Sequence, residues 1–191
     1  MTKNIFTLGF GLFLMTILTF FIVYYLFANV YYFEISLKIN AFFLPILYVG
    51  TALWSVISYW RNHRIATFKE VFKRSFVPMF VGGIFSIFSI FVFLNFVDTD
   101  AKKLLNYQYV QRHKSELDSE YQKAKKILKN QEDIDDLDKK YQERLQSFSP
   151  KAVKNIDMLT AKWFSGYFAV ILLFYMIISL FLGTFFRSKS R

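Results

Sequence analysis

The sequence predicts an all-α membrane protein with four transmembrane helices and an extracytoplasmic antiparallel helical hairpin between spans 3 and 4. Hydrophobic residues make up 54% of the chain and aromatic residues 21%, a balance that points away from soluble domains. The apolar residues gather into four long runs without charges, and roughly 20 such residues cross a bilayer as a helix. One extended region between the third and fourth runs mixes charges of both signs, which is typical of solvated helices.

The predicted organisation has three parts, and a basic loop orients them. Residues 1–97 hold spans 1 to 3 with the basic loop at 61–75, residues 98–162 form the hairpin, and residues 163–191 hold span 4 with a basic tail. The loop carries five Lys or Arg residues against one Glu, and short loops rich in Lys and Arg stay cytoplasmic. Four crossings then place both termini in the cytoplasm. We expect the membrane to be the bacterial inner membrane.

The first span is predicted within the uncharged run 5–33, which is longer than a bilayer requires, so this helix would tilt or project at one end. A cleavable signal peptide is the competing interpretation, but Leu26, Phe27 and Ala28 do not supply the small residues of a cleavage site. A short connection at 34–40 then leads to the second span at 41–60. Aromatic residues near the end of the first run are typical of an interfacial belt: Tyr24, Tyr25, Tyr31 and Tyr32.

The basic loop contains a capping box that begins a helix at Phe68. The Thr67 hydroxyl would accept from the Glu70 amide, and the Glu70 carboxylate would accept in return from the Thr67 amide. Pro78 lacks an amide hydrogen and is expected to bend or break the junction with the third span at 76–96. Before that span, one aromatic face is typical of a helix lying at the cytoplasmic interface: Phe68, Phe72 and Phe76.

Small residues within the third span predict a close helix–helix contact. Gly82 and Ser86 are four positions apart, the spacing that lets two membrane helices approach closely. We therefore expect these two residues to serve packing.

The polar region 98–162 is predicted to fold as two helices. A single helix over 99–147 would be about 70 Å long at 1.5 Å per residue, and 149–162 could return at most about 50 Å fully extended. Asn130 is the expected turn, because it tolerates turn geometry and acidic residues follow it. One long helix lying on the membrane surface is the alternative. The turn would pair residues on facing helices: Leu128 with Ile134, Tyr121 with Tyr141, and Leu117 with Leu145.

The chain is expected to re-enter the membrane as a helix. Ser149 and Pro150 fit the N-cap and first position of a helix that would run unbroken into the last span at 163–186. Trp163 and Tyr167 would lie at the outer interface.

Several kinds of chemistry are disfavoured by these residues. The net charge of +10 lies mostly beside span ends, where orientation explains it better than nucleic-acid binding does. Cysteine is absent, and the acidic cluster at 132–138 has no glycine for a calcium loop. Asp98, Asp100 and Asp157 could gather where the hairpin meets the bilayer, although helix capping explains them better. We expect no catalytic residue, no cofactor and no metal site.

Three features resemble a bacterial family of four-span membrane proteins of unknown function. They are the segment 67–73, the Phe-Val-Asp motif that ends at Asp98, and the long polar insert before the last span. The resemblance covers almost the whole chain and implies the four-span fold. It brings no catalytic residues.

The favoured hypothesis is a non-enzymatic scaffold or accessory subunit that acts through its extracytoplasmic hairpin. Its expected partners are the lipid bilayer and either a second copy or another membrane or envelope protein, without nucleic acid. The alternative is a component of a small-solute or ion permeation pathway. The candidate structural or interaction residues are Thr67, Glu70, Phe72, Pro78, Gly82, Ser86, Asp98, Leu117, Tyr121, Leu128, Ile134, Tyr141 and Leu145.

Overall fold

The computed structural model describes residues 4–63, 65–148 and 157–188. It divides the chain into a membrane unit, Met1–Asp98 with Thr160–Arg191, and an arm unit, Thr99–Leu159. The regular elements in the described residues are helical. In chain order they are α1 (Ile5–Phe27), α2 (Tyr32–Lys38), a π-helical turn (Ile39–Phe43), α3 (Leu44–Asn62), α4 (Phe68–Val92), a second π-helical turn (Phe93–Val97), α5 (Thr99–Ile127), α6 (Gln131–Gln146) and α7 (Ala161–Phe186).

Four stretches of the membrane unit are long and apolar enough to cross a bilayer, which confirms the predicted number of spans. Their bounds are Ile5–Phe27, Tyr32–Asn62, Phe68–Val97 and Ala161–Phe186. The second crossing joins α2, the first π-helical turn and α3 into one stretch.

Helix α4 lies at the centre of the membrane unit and packs against α1, α3 and α7. At the α1 contact, a Cβ added to Gly82 would lie 2.7 Å from the Leu12 Cβ, and one added to Gly9 would lie 2.8 Å from the Val81 Cβ. Neither position has room for a methyl group, so the two backbones meet directly. Gly82 thus lies where its spacing predicts a close contact.

The prediction for the end of the first span was wrong. Helix α1 ends at Phe27, and the chain turns before α2 begins, so the uncharged run 5–33 is not one helix. The Asn29 side chain accepts from the Tyr31 amide at 2.9 Å, a local turn that competes with helix. The predicted connection at 34–40 is helical instead. Tyr32 is 1% exposed and so does not belong to an interfacial belt, whereas Tyr25 and Tyr31 are exposed.

Of the bend or break expected at Pro78, the break does not occur. Helix α4 continues through this residue, which is buried inside it. The aromatic face of Phe68, Phe72 and Phe76 forms a stacked column within α4, with centroids 6.1 and 5.5 Å apart. A Cβ added to Gly183 of α7 would lie 2.8 Å from the Phe68 ring. The Phe68 end of the column therefore packs on α7, and neighbouring helices of this kind allow a membrane helix to tolerate proline.

The basic segments meet at one end of the membrane unit. The Ala66 amide donates to the Ser188 hydroxyl at 2.9 Å, and the Ser188 amide donates to the Ala66 carbonyl at 2.8 Å. Leu8 of α1 lies beside Ser58 of α3 and Arg74 of α4 in the same pocket. The start of α1, the basic loop and the end of α7 are therefore at the same end, as an even number of crossings requires.

The arm unit contains the predicted helical hairpin, which excludes a single long helix. Helix α5 ends at Ile127 and α6 begins at Gln131. Asn130 caps α6, because its side chain accepts from the Glu132 amide at 3.4 Å. The Tyr121 and Tyr141 rings stack with centroids 4.1 Å apart, which is the predicted antiparallel pairing.

The return to the membrane differs from the prediction. Ser149 and Pro150 lie outside the described residues. Residues 157–160 are not helical, and Thr160 caps α7 by accepting from the Trp163 amide at 3.5 Å. The last span therefore starts with its own cap at Thr160, and no helix runs unbroken into it.

Candidate functional site

Two tyrosines and two aspartates join α5 to α6 in an arrangement that we name the Tyr–Asp clasp (Asp118, Tyr121, Asp138 and Tyr141). The Tyr121 hydroxyl donates to Asp138 at 2.8 Å, and the Tyr141 hydroxyl donates to Asp118 at 2.7 Å. The two rings stack between these bonds. Each helix supplies one donor and one acceptor, so the clasp fixes the register of the hairpin.

Lys125 extends the clasp at Asp138. Its ammonium group donates to the Tyr121 hydroxyl at 2.7 Å and lies 3.2 Å from both Asp138 oxygens. The hydrogen bond from Tyr121, followed by that from Lys125, holds the pKa of Asp138 below its ordinary value. The hydrogen bond to Tyr121, followed by that to Asp138, raises the pKa of Lys125. The hydrogen bond to Asp118 raises the pKa of Tyr141.

A groove of about 400 Å³ lies beside the clasp, between α5 and the end of α6. Its wall combines aromatic and apolar side chains with charges of both signs. Within it, Glu116 pairs with Arg112 at 2.8 Å, and the hydrogen bond from Arg112 lowers the pKa of Glu116. The lining residues are Tyr109, Val110, His113, Glu116, Leu117, Glu120, Arg144, Ser147 and Phe148.

Asp157, which lies outside the helices, bonds to α5 within the arm unit. Its carboxylate lies 2.6 Å from the Lys102 ammonium and accepts from the Asn106 side chain at 3.1 Å. Burial acts to raise the pKa of Asp157, but the bonds from Lys102, the Leu159 amide and Asn106 together lower it. The Met158 amide donates back to Asn106 at 3.0 Å. These bonds hold residues 157 and 158 against the first turns of α5.

At the end of the membrane unit opposite the basic loop, Asp98 accepts from the Tyr24 hydroxyl at 2.5 Å. Tyr32 packs edge-on against Tyr24 with centroids 6.3 Å apart, and the buried Tyr32 hydroxyl has no partner among the described residues. The arrangement joins α1 to the end of the third span. It gives Asp98 a structural partner at the end of the third span.

A cavity of about 110 Å³ lies inside the membrane unit, bounded by α1, α3, α4 and α7. The Thr16 hydroxyl donates to the Leu12 carbonyl at 2.8 Å and lies 3.1 Å from the Tyr48 hydroxyl. Tyr48 stacks on Tyr175 at 5.4 Å between centroids. Ser86, which is 2% exposed, has a hydroxyl without a partner among the described residues. The cavity is therefore an apolar space with a hydroxylated floor.

Arg74 forms a second, smaller polar site at the basic end. Its guanidinium lies 4.2 Å from the centroid of the Tyr59 ring. The Arg74 Nε and the Ser55 hydroxyl are buried without partners among the described residues, and both residues line a pocket of about 10 Å³. That space suits a single water molecule.

The structure brings only some of the candidate residues together. Thr67 caps α4 by accepting from the Glu70 amide at 3.3 Å, and of the two reciprocal bonds predicted for this described pair only that one forms. Asp98 accepts from Tyr24, Asp100 pairs with Lys103 at 2.8 Å, and Asp157 pairs with Lys102 at 2.6 Å. In the part of the chain that the structure describes, no three acidic or histidine side chains are placed to hold a metal ion. Leu117, Leu128, Ile134 and Leu145 are half-buried in the arm unit.

Several residues of these sites were not singled out from the sequence. For the clasp a signal was present, because Asp118 and Tyr121 repeat the Asp-x-x-Tyr spacing of Asp138 and Tyr141. Residues three apart share one helix face, and an antiparallel turn then crosses the two pairs. The cavity has no comparable signal. Its hydroxyls come from four different helices: Thr16, Tyr48, Ser86 and Tyr175.

Comparison with known proteins identifies the family of the chain. The search of curated proteins and the search of solved structures find no match. One family model, described as "Protein of unknown function (DUF4199)", matches residues 6–188, which is nearly the whole chain and includes all four spans and the arm unit. The chain therefore belongs to the DUF4199 family of proteins of unknown function.

Proposed function

We propose that this protein is a non-enzymatic scaffold or accessory subunit of the bacterial inner membrane. In this proposal the arm unit projects on the extracytoplasmic side and binds a second copy of the chain or another membrane or envelope protein. The membrane unit anchors the arm, and the basic end faces the cytoplasm. Described basic residues at that end include Arg61, Lys69 and Arg187, and such residues keep their side in the cytoplasm.

The observation that carries the proposal is the Tyr–Asp clasp. Two crossed hydrogen bonds and a stacked ring pair hold α5 and α6 in one register. A preorganised surface loses less conformational entropy when it binds, so more of its contact energy appears as affinity. The clasp is built from half-buried side chains and leaves both helices largely exposed. A rigid and largely exposed pair of helices is well suited to bind another protein.

The groove beside the clasp is the surface that we assign to the partner. It combines aromatic and apolar side chains with the cation of Arg144 and the carboxylate of Glu120. Interfaces of this composition are common, because aromatic and Arg side chains supply much of the binding energy. A helix from a second arm or from a neighbouring protein would fit along it.

Photo-crosslinking in native membranes tests this function. A photoreactive residue replaces Glu120, which lines the groove, and in the matched control it replaces Lys123, which is exposed on α5 but does not line the groove. We expect a defined crosslinked product from position 120 and none from position 123. Equal crosslinking at both positions would contradict the groove as the binding surface, whereas no product at 120 together with a monomer by light scattering in nanodiscs would refute the scaffold function.

A second candidate function, part of a permeation pathway, is favoured by the hydroxyl-lined cavity inside the membrane unit. Its test is solute and ion flux into liposomes that contain the purified protein. Flux above that of empty liposomes supports the pathway, and flux equal to theirs removes it.

A further inference from the structure

The cavity inside the membrane unit has one polar group that the protein leaves unused. The Thr16 hydroxyl donates its only proton to the Leu12 carbonyl, so Tyr48 must donate to Thr16. Both of these hydroxyl protons are therefore committed. The Ser86 hydroxyl also lines the cavity, is almost fully buried and has no partner among the described residues. A buried hydroxyl without a hydrogen bond costs free energy, which an occupant of the cavity would recover.

Glycine at position 83 shapes the cavity. A Cβ added there would lie 2.9 Å from both Cε2 and the hydroxyl of Tyr175. The missing side chain lets Tyr175 lie across α4 and stack on Tyr48 at an angle of 7°. Both stacked rings line the cavity, so an apolar ring of the occupant can pack against aromatic side chains. The cavity thus has an aromatic wall and a hydrogen-bond donor.

The size and charge of the cavity restrict its occupant. Its volume of about 110 Å³ is somewhat smaller than the ~150 Å³ engineered cavity that binds benzene. None of the described residues that line it is charged, and an ion would lose its hydration there without a counter-charge. The occupant must therefore be uncharged and about as large as a six-membered ring.

The rim of the cavity points to the source of the occupant. The exposed Asn40 lines the cavity from the π-helical turn that precedes α3, and Leu44 and Pro45 line it from the first turn of α3. Such turns often mark functional positions in helices. All three residues belong to the second crossing, 32–62, so the occupant would be a molecule dissolved in the bilayer.

We propose that this cavity binds an uncharged, membrane-dissolved carbonyl compound, whose ring-sized head packs on Tyr48 and Tyr175 and accepts a hydrogen bond from Ser86. A carbonyl oxygen suits this site because it only accepts, whereas the Ser86 hydroxyl has a proton that no described residue takes. This inference concerns the membrane unit and does not depend on the proposed role of the arm.

A pair of probes that differ only in the carbonyl tests the proposal. Radiolabelled 4-decylcyclohexanone and decylcyclohexane are each titrated against the full-length protein in nanodiscs, with empty nanodiscs as background. We expect saturable binding of the ketone that is about fivefold tighter than that of the hydrocarbon, since one hydrogen bond contributes about this factor. In Ser86→Ala the ketone should bind no tighter than the hydrocarbon.

Ser179→Ala is the matched control. Ser179 is fully buried and its hydroxyl likewise has no partner among the described residues, but it does not line the cavity. This variant should keep the wild-type preference for the ketone. The proposal is overturned if neither probe saturates, if the wild type does not prefer the ketone, or if Ser86→Ala retains the preference. Circular dichroism and monodisperse elution confirm that each variant is folded.

Discussion

In the membrane unit the helices meet at backbone distance, whereas in the arm unit they meet through the ends of long side chains. Gly9 and Gly82 have no room for a methyl group at the α1–α4 contact. The α5–α6 contact depends instead on the hydroxyl-to-carboxylate bonds of Tyr121 and Tyr141. Helix α6 contains no fully buried residue, whereas α4 contains seven.

The difference follows from the solvent of each unit. Lipid is as apolar as the helix surfaces, so burial there gives little driving force and association depends on close packing. In water, a narrow hairpin buries little apolar area and needs bonds that fix its register. The membrane unit should therefore be sensitive to volume, and the arm unit to hydrogen bonding and pH.

The largest effect is expected from Gly82→Ala. The new methyl group would lie 2.7 Å from the Leu12 Cβ and 3.1 Å from the Gly9 carbonyl oxygen, so the helices must separate. We expect a loss of about 1–3 kcal/mol in the free energy of unfolding, as for other overpacked sites. Thermal unfolding in detergent measures it.

Gly11→Ala is the control for this change. A Cβ at Gly11 meets no atom within 4 Å, so the same substitution on the neighbouring helix has open space. The unfolding temperature of Gly11→Ala should equal that of the wild type or be slightly higher. If both variants lose equal stability, helix flexibility rather than close packing explains the glycines.

The next effect is expected in the arm, from Tyr121→Ala. This change removes the stacked ring, the bond to Asp138 and the contact with Lys125. Backbone amides of α6 should exchange hydrogen roughly threefold to tenfold faster, by the range known for aromatic pairs. Hydrogen exchange with mass spectrometry measures this, and amides of α4 should not change.

Tyr107→Ala serves as the comparison, because Tyr107 lies on the same helix with 59% of its surface exposed. Its exchange pattern in α6 should equal that of the wild type. Faster exchange in both variants would mean that α5 as a whole, and not the clasp, determines the stability of the hairpin.

The sequence predicted the structure correctly where a local pattern is compatible with only one structure. Four charge-free runs predicted four spans, and Asn130 followed by Glu132 and Asp133 predicted the turn of the hairpin. It did not predict the structure where an apolar run can hold either a continuous helix or a turn between two helices. The turn at Asn29 lies in a run without charges, so composition could not separate the end of α1 from the start of α2.

The other features that the sequence did not predict depend on contacts between helices that are distant in sequence. Pro78 stays inside α4, where Phe68 packs on Gly183 of α7 and the Pro78 carbonyl lies beside Gly9 of α1, and both partners are distant in sequence. The cavity around Ser86 likewise needs four helices to be placed before it exists. Local spacing carries neither kind of information.

A pH titration of the arm should show the charge dependence of the clasp. The pKa of Asp138 is lowered in the fold, so its stabilisation is complete above the unfolded value of about 4 and is lost as pH falls through the folded pKa. The pKa values of Lys125 and Tyr141 are raised, so their stabilisation is lost as pH rises above about 10. Hydrogen exchange of α6, corrected for intrinsic rates, should be slowest between these limits. In Asp138→Asn the loss at acidic pH should be shallower, and an unchanged acidic limb would contradict the assignment.

The smallest effect is expected from Asp136→Ala, which lies two residues from the clasp on the same helix. Asp136 pairs with Lys140 at 2.6 Å, but both side chains are more than half exposed. Exposed pairs of this kind contribute little, because water and salt screen them and both side chains lose freedom. Hydrogen exchange of α6 should therefore be indistinguishable from the wild type, whereas Asp138→Ala should accelerate it. Each of the two variants removes one carboxylate from α6. Equal acceleration would therefore mean that the net charge of α6, rather than the crossed tyrosine bonds, stabilises the hairpin.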